Sequence, residues 1–258
     1  VSDNNFIKFL GTAGARFVMA KQLRSSAGTF LSMKGQNIML DPGPGALVRM
    51  ASSRPKIDVA KLDAIILTHA HIDHSNDANV LIDSMTGGGL TRRGVLFAPW
   101  ECLYGEDSVI LKYLRGFLED IVVLEGNKDY RLGDLSFSTS ARHQHAVETY
   151  GIKFNLDDLM VSFMVDTRFF PELPQSYEDT DVLVINVVRH VAHQNSRIMH
   201  LSMDDVRTII AGLKPKKVFL THFGMTMLKA KPWELARQLT VDLGVEVTAA
   251  SDGLTVQL

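Results

Sequence analysis

The chain is expected to fold as a layered α/β domain, with sheets at its centre and helices on their outer faces. Three observations predict this. Apolar runs of strand length recur along all 258 residues, each bounded by Gly, Pro, Asp or Asn. Stretches with helical spacing of apolar residues lie between several of those runs. The runs come first in hairpin-like groups and later alternate with helices. A chain of this length suits one layered unit, so residues 1–258 are expected to form a single domain. No low-complexity tract, linker or short repeat divides it.

In order along the chain, the strand candidates are Phe6–Leu10, Thr29–Met33, Ile38–Leu40, Ala64–Leu67, Val95–Ala98, Ile121–Leu124 and Leu135–Thr139. Met160–Val165, Val182–Val187, Val218–Leu220 and Leu254–Gln257 complete the set. Helical spacing marks Asp77–Ser84, Ser108–Leu118, Met203–Leu213 and Trp233–Leu243. Before the third of these, Ser202 followed by Asp205 forms a capping box with Asp in the usual Glu place.

Charge and cysteine content narrow the function classes. Lys plus Arg number 27 and Asp plus Glu 29, for a net charge of −2. That balance argues against a dedicated binder of long nucleic acid, which needs a positive surface, but not against a small phosphate substrate. Cys102 is the one cysteine, so no internal disulfide can form. Val1–Phe9 lacks a basic segment followed by an apolar run, and no stretch approaches the ~20 apolar residues of a membrane span. The expectation is a cytoplasmic protein that does not enter a membrane.

The strongest chemical signal is Thr68-His69-Ala70-His71-Ile72-Asp73-His74, directly after the apolar run Ala64–Leu67. Four potential metal ligands stand within six residues, and burying them without a metal would leave several polar groups without partners. Imidazole nitrogen with carboxylate oxygen suits Zn²⁺, with Mn²⁺ or Fe²⁺ as alternatives. Further candidates stand after later runs: His143 and His145, Asp166, and His222. Strand ends that deliver His or Asp to one edge can assemble a site from distant parts of the chain.

His69-x-His71-x-Asp73-His74, His145, Asp166 in Val165-Asp166-Thr167 and His222 in Leu220-Thr221-His222 resemble the five-motif metal site of the metallo-β-lactamase superfamily. The opening Leu10-Gly11-Thr12-Ala13-Gly14, the run Leu40-Asp41-Pro42-Gly43-Pro44-Gly45 and His200-Leu201-Ser202 resemble its phosphodiesterase branch. That branch includes ribonuclease Z and the phosphoribosyl cyclic phosphodiesterases. The resemblance implies a four-layer αββα sandwich and two divalent metal ions. It assigns His69, His71 and His145 to one ion, Asp73, His74 and His222 to the other, and Asp166 as the bridge. His145 is preferred to His143 because His145-x5-Gly151, with Tyr150 before the glycine, matches the branch. Asp41 resembles an acid that orients a ligand His. Asp73 is also expected to orient the attacking hydroxide, and His200 to act as general acid on the departing alkoxide.

The tRNA-processing members carry a long arm between the motifs that correspond to His145 and Asp166, where this chain has only a turn and strands. A small phosphodiester is therefore the expected substrate: a cyclic nucleotide, a cyclic ribose phosphate or a short oligonucleotide. Ribonuclease Z-like tRNA processing and lactone, thioester or β-lactam hydrolysis on the same site are the alternatives. Relatives with this layout commonly form homodimers, which sets the expectation of a homodimer here. Gly11–Gly14 offers backbone amides to a phosphate or, as glycine after a strand more often does, forms only a turn; Arg16 and Ser25/Ser26 are further candidate phosphate contacts; and Gly87–Gly89 with Arg92 and Arg93 reads as a flap over the site or as a solvated turn. His190 and His193 have metal-like spacing but no assigned role.

Overall fold

The computed structural model describes residues 5–14, 16–195 and 197–258. The first sheet begins with β1 (Phe6–Phe9), β2 (Thr29–Met33), β3 (Gln36–Leu40), β4 (Ala64–Ile66), β5 (Val95–Pro99) and β6 (Asp120–Leu124). The second holds β7 (Asp129–Leu132), β8 (Leu135–Thr139), β9 (Ile152–Asn155), β10 (Met160–Met164), β11 (Val182–Asn186), β12 (Lys217–Thr221) and β13 (Glu246–Ala249). The last strand, β14 (Thr255–Gln257), returns to the first sheet beside β1.

The strand orders are β14-β1-β2-β3-β4-β5-β6 and β13-β12-β11-β10-β9-β8-β7. Counted from β14, the first sheet has three antiparallel pairings and then three parallel ones. Counted from β7, the second sheet repeats that sequence. Parallel neighbours align their carboxyl ends, so the loops after β3 and β4 open on one edge of the first sheet, and those after β10, β11 and β12 on one edge of the second. Crevices outside strand carboxyl ends are where open α/β sheets bind ligands.

Alternation along the strands builds the layers. Ile7, Phe9, Leu31, Phe97, Phe137, Phe154, Val184 and Phe219 fill the space between the sheets. Leu10, Phe30, Met39 and Ile65 face outward beneath α2 (Ala46–Ser52), after the short α1 (Phe17–Ala20), and beneath α4 (Ala78–Met85), after the one-turn α3 (Ile72–Ser75). α5 (Trp100–Tyr104) belongs to the same layer through Cys102 and Leu103. On the other side α6 (Met203–Leu213), α7 (Met225–Lys229) and α8 (Pro232–Leu243) cover Leu183, Ile185, Val218 and Leu220. The result is the expected four-layer αββα sandwich.

Most sequence-derived elements recur, α6 with the same bounds and with its Ser202/Asp205 capping box complete. Ser108–Leu118 does not form an α-helix; it contains only a 3₁₀ stretch, Lys112–Phe117. Asn79 on α4 bears on this, because its Nδ2 donates to the Val109 carbonyl, which a helix would have used, while its Oδ1 accepts from the Leu111 N–H. Of the two readings of Gly87–Gly89 and Arg92–Arg93, the flap fails and the turn holds. That segment precedes β5, at the sheet edge opposite the metal loop. Arg92 donates to the Leu118 carbonyl and Arg93 to Leu62 and Asp63, which tie it down.

Candidate metal centre

β4 ends in the buried Thr68–His69 step, and α3 then turns Asp73 and His74 back toward the strand end. The turn is held from below by Gly43. A Cβ there would stand 2.0 Å from the Asp73 carbonyl oxygen and 2.2 Å from that of Ser26, so only glycine allows the Asp41–Gly45 loop to pass this close. Asp41 and His222, each after a strand end, adopt left-handed backbone conformations with φ of 50° and 60°. Such strain in non-glycine residues concentrates at functional sites.

Three groups of potential ligand atoms converge, each with its atoms within 4.8 Å of one another: His69, His71 and His145; Asp73, His74 and His222; and Asp41, His69 and His74. The first two are the sets the sequence resemblance assigns; in the third, the Asp41 carboxylate is already occupied by hydrogen bonds from Thr68 and His74. Asp166, just past the end of β10, lies beside the second group. Its Oδ2 lies 3.6 Å from His74 Nε2, 3.4 Å from His222 Nε2 and 3.5 Å from His200 Nδ1. Its Oδ1 accepts from Asn186 Nδ2 at 2.9 Å. Asn186 was not singled out in the sequence, although a lone polar residue inside the apolar run Val182–Val187 was a visible signal.

The hydrogen bonds behind these rings set their tautomers. Asp41 Oδ1 accepts from the Thr68 N–H at 2.7 Å, and its Oδ2 accepts from Thr68 Oγ1 at 2.7 Å and His74 Nδ1 at 2.9 Å. Thr68 Oγ1, having donated to Asp41, accepts from His69 Nδ1 at 3.0 Å. His145 Nδ1 donates to the Met199 carbonyl. His69, His74 and His145 therefore all keep their protons on Nδ1 and aim an Nε2 lone pair at the centre. His145 Nε2 lies 3.0 Å from His71 Nδ1.

Whether these residues fit a metal can be judged from their unmet polar atoms. His69 Nε2, Asp73 Oδ2, His74 Nε2 and His222 Nε2 are buried without a hydrogen-bond partner. Native proteins leave few such atoms, and four at one point, all lone-pair donors, fit divalent cations. Burial pulls the His69 pKa well below that of free histidine, and neighbouring His74 adds to this. Burial lowers His71 and His145 too. Burial alone would raise Asp166, but His222 and His200 outweigh it and hold the carboxyl well below its usual range. His74 differs: burial pulls it down, yet Asp73 and Asp41 outweigh that and raise it. A proton on His74 thus competes with a cation for the site.

His143 does not join any of these groups. It is buried, with Nδ1 on the Asp166 carbonyl and Nε2 2.8 Å from the Tyr177 hydroxyl, and burial lowers its pKa to about 4. His190 and His193 also stay outside them; His193 Nδ1 accepts from the Asn195 N–H. The phosphate-loop expectation for Gly11–Gly14 fails. All four amides are taken, by Gly28 O, Asp252 Oδ1, Ser25 O and Phe223 O. Ser25 N–H likewise bonds Asp252, and Ser26 Oγ is buried without a partner. Arg16 does reach the site: it lines a cleft of ≈ 520 Å³ with His71, Asp73, Glu101, Asp107 and His200. One wall is locked by a pair the sequence reading missed. Glu101 N–H donates to Glu148 Oε2, Glu148 N–H donates to Glu101 Oε2, and Tyr150 hydroxyl donates to Glu148 Oε1.

Residues 36–223 match the family model described as the beta-lactamase superfamily domain. The chain belongs to that family. The span runs from β3 to just past His222 and so contains every residue of the ligand groups. Family and fold together make it a metal-dependent hydrolase of metallo-β-lactamase architecture, and the fold implies divalent metal ions. An uncharacterized protein of Methanocaldococcus jannaschii is 30% identical over 260 residues, covering 98% of this chain and 94% of that one. The metallo-β-lactamase fold protein YhfI from Bacillus subtilis superposes with a TM-score of 0.79 at 17% identity, over 99% of this chain and 100% of that one. A diphosphatase from the PhnP family superposes with a TM-score of 0.73 at 21% identity, over 99% and 97%. No helix among the described residues is long and apolar enough to cross a membrane.

Proposed function

We propose that this family member is a dinuclear phosphodiesterase acting on a small phosphodiester, such as a cyclic nucleotide, a cyclic ribose phosphate or a short oligonucleotide. Zn²⁺ is the metal the donor set suits best, with Mn²⁺ or Fe²⁺ next. His69, His71 and His145 would hold one ion, Asp73, His74 and His222 the other, and Asp166 would bridge them. Divalent ions there would lower the pKa of a shared water and offset charge on the phosphoryl oxygens.

The reading rests above all on His200. Its Nδ1 is buried without a hydrogen-bond partner, 3.5 Å from Asp166 Oδ2, and the residue lines the open cleft. A departing alkoxide needs a proton, and an imidazole is suited to supply one near neutral pH. Burial lowers the His200 pKa, with Asp166 opposing that in part. Asp73, which also lines the cleft, orients the attacking water through a carboxylate oxygen. Arg16 offers a guanidinium to the non-reacting phosphate oxygens.

A small substrate is supported by the chain between His145 and Asp166, which holds β9 and β10. That leaves no arm there to grip tRNA, and the net charge of −2 offers no field for one. The test is turnover of bis-(p-nitrophenyl) phosphate with added Zn²⁺ or Mn²⁺, followed by a screen of cyclic nucleotides, cyclic ribose phosphates and short RNAs. Metal-dependent release of nitrophenol is expected. No such release, alongside turnover of a lactone or thioester, would overturn the phosphodiesterase reading.

A further inference from the structure

Lys8 breaks the pattern of its strand. On β1, Ile7 and Phe9 point into the core between the sheets, while Phe6 and Leu10 join the apolar layer under the outer helices. Lys8 shares that outer side and is 6% exposed. Its ammonium donates to the Arg54 carbonyl at 3.3 Å and Thr255 Oγ1 at 3.1 Å, both neutral acceptors. Among the described residues no carboxylate pairs with it within 4.0 Å. Reaching the carbonyl beyond the end of α2 explains where Nζ sits, but not why the position carries a charge. A methionine would fill the same space without the several kcal/mol typical of desolvating an ion.

A cleft of ≈ 250 Å³ opens beside Lys8, and two further cations line it, Arg49 and Arg54, with Ser52 at its rim. Arg49 Nε donates to the Leu10 carbonyl, and its nearest carboxylate, Asp252, is 4.0 Å away. Both oxygens of Asp252 already accept from Thr12 and Ser25. The Arg54 side chain is exposed and makes no hydrogen bond or ion pair among the described residues. Three like charges around one small cleft repel one another unless an anion sits among them. Guanidinium forks and an ammonium are the groups proteins use to hold phosphate.

We propose that this cleft binds a phosphate-type oxyanion, with Lys8, Arg49 and Arg54 as donors, at a site separate from the metal centre. None of its lining residues belongs to the ligand groups at the sheet edge. Its volume admits a free phosphate or the phosphate end of a small organic molecule.

Calorimetric titration of the metal-loaded protein with orthophosphate tests this. Two sites are expected, one of them at the metals. Arg54→Gln, an exposed substitution that leaves the fold intact, should weaken the other site about tenfold or more, as loss of a charge-assisted hydrogen bond does. Lys8→Met should abolish it. Both variants should turn over bis-(p-nitrophenyl) phosphate at the wild-type rate, whereas Asp166→Ala should leave this second site filled. A nucleoside monophosphate that binds the Lys8-dependent site more tightly than orthophosphate identifies an organic phosphate as the occupant; equal or weaker binding identifies the free anion. A single phosphate site, lost in Asp166→Ala and unchanged in Lys8→Met and Arg54→Gln, overturns the proposal.

Discussion

Replacing Asp41 by Asn preserves shape and removes one charge, which isolates what this residue does for the rings in front of it. The carboxylate accepts three hydrogen bonds, from Thr68 N–H, Thr68 Oγ1 and His74 Nδ1. An amide cannot accept all three. With its oxygen toward the Thr68 N–H, the NH₂ faces His74 Nδ1 and Thr68 Oγ1. His74 must then move its proton to Nε2, where a cation would bind. Thr68 Oγ1, now accepting from that NH₂, would donate to His69 Nδ1 and force the same change on His69. With the amide reversed, a donor faces the buried Thr68 N–H, at a cost of about 1–3 kcal/mol. Either way metal affinity should fall about 10–100-fold, the usual effect of losing such an outer partner. Competition against a chromophoric chelator measures this, with circular dichroism to show that the fold persists. Thr68→Ser should retain affinity and Thr68→Val should lose it, because only serine keeps the relay to His69. Wild-type affinity in Asp41→Asn would refute the tautomer argument.

Other expectations are more direct. Asp166→Ala should lower bound metal per chain by elemental analysis, and unchanged stoichiometry would remove its bridging role. His200→Ala should keep its metal yet slow cleavage of a substrate with an alkoxide leaving group by roughly 10²–10⁴-fold. The same variant should lose far less on bis-(p-nitrophenyl) phosphate, whose nitrophenolate departs without a proton; equal losses on both would exclude the acid role. For His143, the folded pKa of about 4 lies below the 6.5 of an unperturbed ring, so the unfolded chain takes up its proton first on acidification. The His143 contribution to stability should therefore be complete above pH 6.5 and fall by about 3 kcal/mol as pH drops toward 4. Urea denaturation of chelator-treated protein across that window should show the slope, and His143→Gln should reduce it.

Much of the candidate site was legible because it is local. His69, His71, Asp73 and His74 lie on one loop, and the strand before them is an unbroken apolar run, so type and spacing suffice. Asp166 and His222 were legible for a related reason: each closes an apolar run, and a polar residue there has to leave the sheet at its edge. The outward faces of α6 and α8 were equally plain from their apolar period. Family resemblance then supplied the division into two ligand sets, which spacing alone could not give.

Other features depend on groups far apart in the chain. Ser108–Leu118 has helical spacing, but Asn79, some thirty residues earlier, captures the Val109 carbonyl that the helix required. Gly11–Gly14 has the composition of a phosphate loop, yet its amides are spent on Gly28, Ser25, Phe223 and Asp252. His143 and His145 differ by two positions; the resemblance favoured His145, but the physical reason, Tyr177 bonded to one ring and the Met199 carbonyl to the other, is visible only in the fold. Lys8 reads as one charge in an apolar strand until α2 and β14 close over it. By itself the sequence determined most of the strands and helices and showed ligand-type residues gathered at strand ends, because periodicity and spacing are local properties; the four-layer order and the two-metal reading came with the family resemblance. Tertiary structure alone decided tautomers, orphaned atoms and unpaired charge, because each depends on which distant partner reaches a buried group first.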